Sequence, residues 1–499
     1  MENDLASVKI SKLDILKSKD NALVLGFFKD KLELNGDVKK LDAQSASIIS
    51  SYIASGNFKA EKSEIKSLFL GKNFKNIMLV GLGDESEFDL NALCGMIANA
   101  SRKLRNAGSE TFSICMDSFK EASREGDVAE KIVQGALAGL YQFTSYKTKD
   151  TDKIKHVKQI TIITSSSDSF EGELKYSIAV SDAIFKTRDL VNTPPNIATP
   201  EYIANYAKGL AKKNGLKCTI FDEKQITEMK MGCLAAVANG SINKPKLLVM
   251  EYMGAGSKKG AIAIVGKGVT FDSGGLNLKP YPYILNMKDD MAGAACAVHI
   301  LEACSKLKLP INLIAVAPLC ENMIDASCYR PDDVLTAYNG MTVEIKNTDA
   351  EGRLILADAL SYAAKLKPDA IIDIATLTGA SMVVLGYAGT PFLSTDPKLS
   401  EKINIASKKS LEKVWELPLW QEYEDSIKSD VADIKNISEE GDAGVIIGAT
   451  FLKNFTCEIP WAHIDIGTTV WSKTEKGMFT KGATGVTVRL LMELLRDWI

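Results

Sequence analysis

The sequence predicts an α/β protein with a smaller N-terminal α/β domain and a larger C-terminal domain, whose mixed central sheet is covered by helices on both faces. With 499 residues, the chain exceeds what one hydrophobic core ordinarily accommodates. Short β-rich runs alternate with helical stretches along most of the chain. The later strands are longer and more apolar, as expected for a sheet buried on both faces.

The N-terminal domain is predicted from strands at residues 21–28, 76–81, 112–116 and 159–164, with helices at 91–107 and 128–145 between them. A serine-rich segment at 164–168 places the boundary, which gives domains of residues 1–168 and 169–499. The second domain begins with a linker helix that runs to about residue 190 and ends before Pro194 and Pro195. Thr199 and Pro200 are typical of the cap and first residue of another helix.

The C-terminal domain is predicted to contain buried strands at residues 247–252, 261–265, 311–316 and 370–375. Residues 341–346 alternate apolar and polar side chains like a half-buried strand. The most apolar long stretch, residues 370–389, contains Asp373 and several Thr and Gly residues. We therefore interpret it as a strand, a loop and a further strand, not as a membrane span.

Composition limits the possible functions. The hydrophobic content of 46% and charged content of 25% are those of an ordinary globular protein. A net charge of −3 offers no attraction for nucleic acid or an anionic membrane. The start of the chain has no basic, then apolar, signal pattern. Nine cysteines without a C-x-x-C spacing suit reduced thiols, so we expect a cytoplasmic protein.

Charged residues cluster where predicted strands end. Residues 347–354 (NTDAEGRL) set Asp349 and Glu351 two residues apart, with Arg353 two residues later. Lys267 and Asp272 follow the strand at 261–265, and flanking glycines are predicted to turn the backbone sharply and expose both side chains. Taken singly, these residues also fit a solvated turn, a surface lysine and a turn-forming aspartate.

Two further charged residues lie between these segments. Lys279 follows the glycine-rich segment, and Asp290 stands at the start of a small-residue helix predicted over 291–304. The ordinary explanation for Asp290 is the N-cap of that helix, which does not exclude a ligand role because the cap position also aims its carboxylate outward.

Four carboxylates that meet in one cleft require cations. Asp272, Asp290, Asp349 and Glu351 could not all stay ionised together, whereas two divalent metals would offset their charge. The chain has only three histidines, which excludes a histidine-rich zinc site. An oxygen-rich site suits Mn²⁺, Zn²⁺ or Mg²⁺. The sequence alone does not bring the four residues together in space.

Several motifs resemble the leucyl aminopeptidase family, also called the cytosol aminopeptidase or PepA family, whose members are two-metal peptidases. The most specific are GKGVTFDSGG at 266–275, MKDDM at 287–291 and NTDAEGRL at 347–354. Similarity also covers residues 188–196, 375–379, 461–465 and 481–485. The resemblance extends over essentially the whole second domain, whereas the first domain matches only as a more variable α/β module.

The resemblance implies a role for each charged residue. One tightly held metal is expected on Lys267, Asp272, Asp290 and Glu351, and a more exchangeable one on Asp272, Asp349 and Glu351. Lysine ligates as a neutral amine beside a dication. A water bridging the metals becomes the nucleophile. Lys279 would stabilise the developing oxyanion, and Arg353 would hold a bicarbonate ion that acts as the general base.

The resemblance also predicts substrates and partners. The substrate's free α-amine would bind one metal, so that N-terminal residues are removed from peptides. The substrate pocket would include Met287, Thr376, Leu377 and Gly379, with leucine or another apolar residue preferred. Gly467 and Thr468 replace a more usual Ala-Gly pair, while His463 is expected to be a packed structural residue. A homohexamer is expected.

Two alternatives stay open at this stage. The first domain could bind nucleic acid or serve a regulatory role, although its nearly neutral charge disfavours DNA binding. The same ligands could also support a different metal-dependent hydrolase reaction.

Overall fold

A computed structural model describes residues 5–12, 14–69, 76–119, 124–166, 168–256 and 259–498. The chain forms two compact units. One unit comprises Met1–Asp182 and Lys473–Lys481, and the other comprises Ala183–Ser472 and Gly482–Ile499. The domain boundary between residues 168 and 169 stays a prediction, because units defined by packing need not coincide with domains. By packing, residues 473–481, which fall in the second predicted domain, belong to the first unit.

The first unit is built on a six-stranded sheet in the order β1-β6-β5-β2-β4-β3. Its strands are β1 Ser7–Ser11, β2 Ala22–Phe27, β3 Ile65–Phe69, β4 Asn76–Gly81, β5 Thr111–Cys115 and β6 Gln159–Ile163. Its helices are α1 Gly36–Gln44, α2 Ile48–Ala54, α3 Leu90–Asn106 and α4 Glu125–Leu140, with the start of α5 Glu171–Asn192. Only β3 pairs antiparallel among these strands. The alternation of strands and helices in the first domain, which is typical of a mostly parallel sheet, is therefore correct, although the sequence prediction missed β1 and β3.

The second unit contains a nine-stranded mixed sheet. Eight strands follow the order β16-β15-β18-β14-β9-β11-β8-β7, and β10 pairs with β11 beside this path. The strands are β7 Lys217–Phe221, β8 Lys246–Met253, β9 Ile262–Gly266, β10 Gly268–Asp272, β11 Asn312–Asn322, β14 Ala370–Ala375, β15 Thr390–Ser394, β16 Val414–Glu416 and β18 Trp461–Asp465. Shorter strands outside it are β12 Val334–Thr336, β13 Thr342–Glu344, β17 Ile434–Lys435, β19 Trp471–Ser472 and β20 Gly482–Ala483.

Helices cover this sheet. They are α6 Pro200–Asn214, α7 Glu223–Glu228, α8 Gly232–Ala238, α9 Ala292–Leu307, α10 Glu351–Lys365, α11 Ser381–Leu385, α12 Pro397–Ser410, α13 Gln421–Asp425, α14 Gly444–Lys453 and α15 Val488–Arg496. Residues of α8, α10 and α14 share a buried cluster with Ile371 and Ala375 of β14. The predicted mixed sheet with helices on both faces is confirmed. Thr199 caps α6 as predicted, because its side chain accepts a hydrogen bond from Tyr202 N.

Two local predictions were wrong. The glycine-rich segment after β9 is not a loop, because residues 268–272 form β10 and pair in parallel with β11. Asp290 is not the N-cap of α9, since Met291 occupies that position and the Asp290 carboxylate bonds elsewhere. The segment after β14 also contains the short helix α11 before the strand β15.

Helix α9 packs unusually close to the sheet at Gly293. A Cβ atom at this position would overlap the Ile374 carbonyl oxygen of β14 and lie 2.7 Å from Lys267 N. Both neighbours are backbone atoms, which cannot move aside cheaply. Glycine at 293 therefore sets the distance between α9 and the end of β9.

We expect Gly293→Ala to lower the free energy of unfolding by roughly 1–3 kcal/mol, because the added methyl overpacks this contact. The matched control is Gly209→Ala in α6, where a Cβ meets nothing within 4 Å. There alanine should stabilise the helix by roughly 0.5–1 kcal/mol. Urea unfolding of both variants measures the difference, and equal effects would contradict the close-packing explanation.

Candidate active site

Three carboxylates from distant segments meet at the carboxyl ends of the central strands. Asp272 ends β10, Asp290 precedes α9, and Glu351 is the first residue of α10. One oxygen from each side chain lies within 4.8 Å of the others, and all three residues are buried. The family resemblance implied this meeting. The flanking glycines wrongly suggested that Lys267 and Asp272 are exposed, since both are 2% exposed.

Two lysines alternate with these carboxylates. Lys267 Nζ lies 2.7 Å from Asp290 Oδ1 and 2.9 Å from Glu351 Oε1. Lys279 Nζ lies 2.8 Å from Asp272 Oδ2 and 2.6 Å from Asp349 Oδ1. Asp349 thus joins the cluster through Lys279, and its side chain remains partly exposed.

The electrostatics of the cluster reflect opposing effects. Burial alone would lower the pKa of Lys267, but Asp290, Glu351 and Asp272 raise it above its usual value. The pKa of Lys279 is likewise raised by its carboxylate neighbours against the effect of burial. Burial raises the pKa of Asp290 well above its ordinary value, and burial with nearby Asp272 raises that of Asp349 to about 6.

Two helix N-termini point their positive ends toward the same place. Asp290 stands just before α9, and Glu351 begins α10. Neither helix has a side-chain cap bond at its start. Because an α-helix carries a partial positive charge at its N-terminus, both helices favour negative charge at this position.

The donor set fits divalent cations. Within the described part of the chain, the buried oxygens Asp290 Oδ2 and Glu351 Oε2 have no hydrogen-bond partner. Buried carboxylate oxygens are ordinarily paired, so two unpaired oxygens in this cluster are available as metal ligands. Oxygen ligands with one amine suit Mn²⁺, Zn²⁺ or Mg²⁺.

Arg353 lies in the first turn of α10 and is 6% exposed. Its Nη1 donates to the Asn436 carbonyl oxygen at 2.7 Å, whereas its buried Nε has no partner among the described residues. Burial lowers the pKa of Arg353 to about 10, and Glu351 and Asp465 oppose that effect. An unused donor on a planar guanidinium is suited to a small planar anion.

Residues after β14 contact the cluster directly. The Thr376 carbonyl oxygen accepts from Lys267 Nζ at 2.9 Å, and Thr376 Oγ1 donates to Asp290 Oδ1 at 2.7 Å. Leu377 is half-buried against α14, because a Cβ at Gly448 would lie 2.9 Å from Leu377 Cδ2. Gly379 is exposed, and Met287 is half-buried in the 3-10 turn before Asp290.

Sequence reasoning missed several residues that hold these segments. Asn322, at the end of β11, donates through Nδ2 to Asp272 Oδ1 at 2.8 Å and to the Thr348 carbonyl oxygen at 3.0 Å. Asn436 accepts from Lys346 N through Oδ1 and donates through Nδ2 to the Asn347 carbonyl oxygen at 2.7 Å. Neither residue belongs to a recognisable local pattern.

His463 lies outside this cluster. It is fully buried, with Nδ1 2.6 Å from Asp373 Oδ1, and Trp461 Nε1 donates to the other carboxylate oxygen at 2.7 Å. These contacts agree with the packed structural histidine that the sequence predicted.

Comparison with known protein families matches two regions of the chain. The catalytic domain of the cytosol aminopeptidase family matches residues 185–492, and the N-terminal domain of that family matches residues 24–150. A search of the part of the chain that the structure describes finds no helix with the length and apolar character of a membrane span.

Similar proteins cover the chain almost end to end. A probable cytosol aminopeptidase from a Geobacter species is 38% identical over 98% of this chain and 99% of its own length. A probable cytosol aminopeptidase from Alkaliphilus metalliredigens is 38% identical over 100% of this chain and 99% of its own length. A mutant of tomato leucine aminopeptidase is 30% identical with a TM-score of 0.89, covering 99% of this chain and 98% of that one.

The bottromycin maturation enzyme BotP, in complex with Mn, is 28% identical with a TM-score of 0.85 over 96% of this chain and 99% of that chain. The family models and the full-length relatives agree with the geometry of the site. This chain therefore belongs to the cytosol aminopeptidase family of metal-dependent aminopeptidases.

Proposed function

We propose that this aminopeptidase releases leucine and other apolar residues from the N-termini of peptides, using two divalent metal ions. The observation that carries the proposal is the buried cluster of alternating carboxylates and lysines. In it, Asp290 Oδ2 and Glu351 Oε2 have no partner among the described residues. Structural ion pairs rarely leave such oxygens unused, whereas a metal site requires them.

The resemblance assigns the metal ligands residue by residue. Lys267, Asp272, Asp290 and Glu351 would hold the tighter ion, and Asp272, Asp349 and Glu351 the more exchangeable one. The bound ions would supply positive charge that acidifies a bridging water and polarises the scissile carbonyl. Lys267 would lose one proton from Nζ in order to bind a metal as a neutral amine. The amine can still donate to the Thr376 carbonyl oxygen, which keeps the side chain oriented.

Lys279 is proposed to stabilise the oxyanion that develops on the scissile carbonyl oxygen. Its ammonium group stands between Asp272 and Asp349 at the partly open side of the cluster, with a side chain 16% exposed. The carboxylates keep it protonated, as its raised pKa indicates. A fixed positive charge at this position requires no reorganisation during the reaction.

Arg353 is proposed to hold bicarbonate as the general base. Its buried Nε has no partner in the described chain, and its Nη1 is fixed by Asn436. A bidentate anion would satisfy the remaining guanidinium donors and accept a proton close to Glu351.

The substrate side chain is proposed to bind beside Met287 and the residues 376–379. Thr376 contacts both Lys267 and Asp290, so this segment is held against the cluster. Met287 and Leu377 are half-buried apolar side chains that would favour leucine over a charged residue.

We also propose a cytoplasmic homohexamer acting on peptides, without nucleic acid or membrane partners. Its support is the family resemblance and the net charge of −3, which offers no overall attraction for nucleic acid or an anionic membrane. Analytical ultracentrifugation measures the assembly directly, and a monomeric mass at working concentration would contradict it.

Removing the metals should abolish leucine release. We expect chelation to reduce hydrolysis of Leu-amide to background, and added Mn²⁺ or Zn²⁺ to restore it, with two ions per chain by elemental analysis. Equal rates before and after chelation would disprove the proposal. Turnover of a phosphoester without any leucine release would instead support a different hydrolase reaction.

Lys279→Ala should retain both metals and lose about 10²–10³-fold in kcat, because it removes the charge that faces the oxyanion. Lys186→Ala is the matched control. Lys186 Nζ also pairs with a buried carboxylate, Glu302, at 2.8 Å, and its side chain is 13% exposed. Metal analysis and Leu-amide kinetics separate the roles, and loss of both metals from Lys279→Ala would contradict the oxyanion assignment.

Bicarbonate should stimulate the wild-type enzyme but not an Arg353→Met variant. In carbonate-depleted buffer, we expect the wild-type kcat to fall and to recover as bicarbonate is added. The variant should start from the low rate and show no response, since it lacks the guanidinium. An equal response in both proteins would place the anion elsewhere.

A further inference from the structure

Asp465 is a fully buried carboxylate that the proposed reaction does not use. It ends β18, and its register partner is Ala375, which ends the parallel neighbour β14. The two strand ends are also joined by Ile466 N, which donates to the Ala375 carbonyl oxygen at 2.8 Å. Asp465 therefore lies beside the point where the chain leaves β14 toward residues 376–379.

The Asp465 carboxylate is bonded to that exit segment. Oδ1 accepts from Leu377 N at 3.2 Å and from Thr378 N at 3.4 Å, and Oδ2 accepts from Thr378 Oγ1 at 2.7 Å. Oδ1 also accepts from Gly467 N at 3.0 Å. Hydrogen bonds to an ionised carboxylate are stronger than neutral ones, so several of them on one segment restrain it firmly.

The same segment also lies close to Gly467, two residues beyond Asp465. A Cβ at Gly467 would lie 2.5 Å from the Thr378 carbonyl oxygen, so glycine permits this approach. That carbonyl accepts from Ser381 Oγ at 2.8 Å. Two residues before Thr378, Thr376 contacts Lys267 and Asp290. The segment is thus fixed at the cluster by Thr376 and at β18 by Asp465.

We infer that Asp465 is a positioning residue that sets substrate side-chain selectivity, by holding Leu377 and Thr378 in place through its bonds to their backbone and hydroxyl groups. The inference rests on the proposed function, in which residues 376–379 line the substrate pocket. Asp465 itself touches no substrate. A pocket wall that shifts by a fraction of an ångström loses discrimination between side chains of different size.

Thr378→Val tests this inference while leaving the Asp465 charge and the proposed ligands intact. It removes the hydroxyl that donates to Asp465 Oδ2 and keeps nearly the same volume. We expect KM for Leu-anilide to rise on the order of tenfold, and the ratio of kcat/KM for Leu-anilide over Ala-anilide to fall several-fold. Thr378→Ser, which keeps the hydroxyl, should keep KM and the Leu-to-Ala ratio of kcat/KM close to their wild-type values.

A second measurement does not depend on catalysis. Deuterium exchange of the backbone amides in residues 377–385 should be faster in Thr378→Val and Asp465→Asn than in the wild type. The control is Ser361→Ala, which removes another buried hydroxyl, one that donates to the Ala357 carbonyl oxygen within α10. It should leave exchange in this segment, KM and selectivity unchanged.

Unchanged exchange in Thr378→Val and Asp465→Asn would overturn the positioning role, whatever their activity. Faster exchange with an unaltered Leu-to-Ala ratio would overturn the selectivity role. If the wild-type enzyme releases no leucine with metal supplied, the proposed function fails and the selectivity inference fails with it. An active wild type whose variants keep its selectivity means that only this inference is wrong.

Discussion

The second unit buries several carboxylates in one place, and the free-energy cost of this burial must be offset by nearby positive charge. Asp272, Asp290 and Glu351 are each at most 4% exposed, and like charges so close together disfavour one another strongly. Opposite charge comes from Lys267 and Lys279 and from the positive ends of α9 and α10. Lys267, Lys279 and the start of α9 lie in one stretch of the chain, whereas α10 comes much later. The site therefore exists only when tertiary packing brings the start of α10 to this stretch.

The helices α9 and α10 must approach Lys267 closely to form this cluster, which explains the glycines where these helices meet the strands. A Cβ at Gly352 would lie 2.6 Å from Lys267 Nζ, and a Cβ at Gly293 would lie 2.7 Å from Lys267 N. A larger residue at position 352 or 293 would displace the Lys267 side chain or its backbone from the carboxylates. Close packing of α9 and α10 and the ion pairs of Lys267 are therefore one structural constraint, which ties the stability of the core to the geometry of the site.

The sequence predicted the central strands well because buried strands have a strong local signal. The apolar run at 370–375 coincides with β14, whereas β10 was missed because its glycines suggest a loop and its pairing with β11 is non-local. The charged residues of the site were identifiable because their motifs resemble a family. The burial of these residues could not be predicted from the sequence. It depends on partners such as Asp290 and Glu351, which only the fold brings to Lys267.

Residues that support the site follow a topological rule that local patterns do not reveal. Asn322 ends β11 opposite Asp272 at the end of β10, and Asp465 ends β18 opposite Ala375 at the end of β14. In a parallel pair, the last residue of one strand lies beside the chain that leaves the other, where backbone groups lose their ladder partners. A polar side chain there can bond to that exit segment, as the Asp465 carboxylate does to Leu377 N, or to the strand end itself, as the Asn322 amide does to the Asp272 carboxylate. Since a lone Asn or Asp has no distinctive spacing, these residues become recognisable only when strand order and register are known.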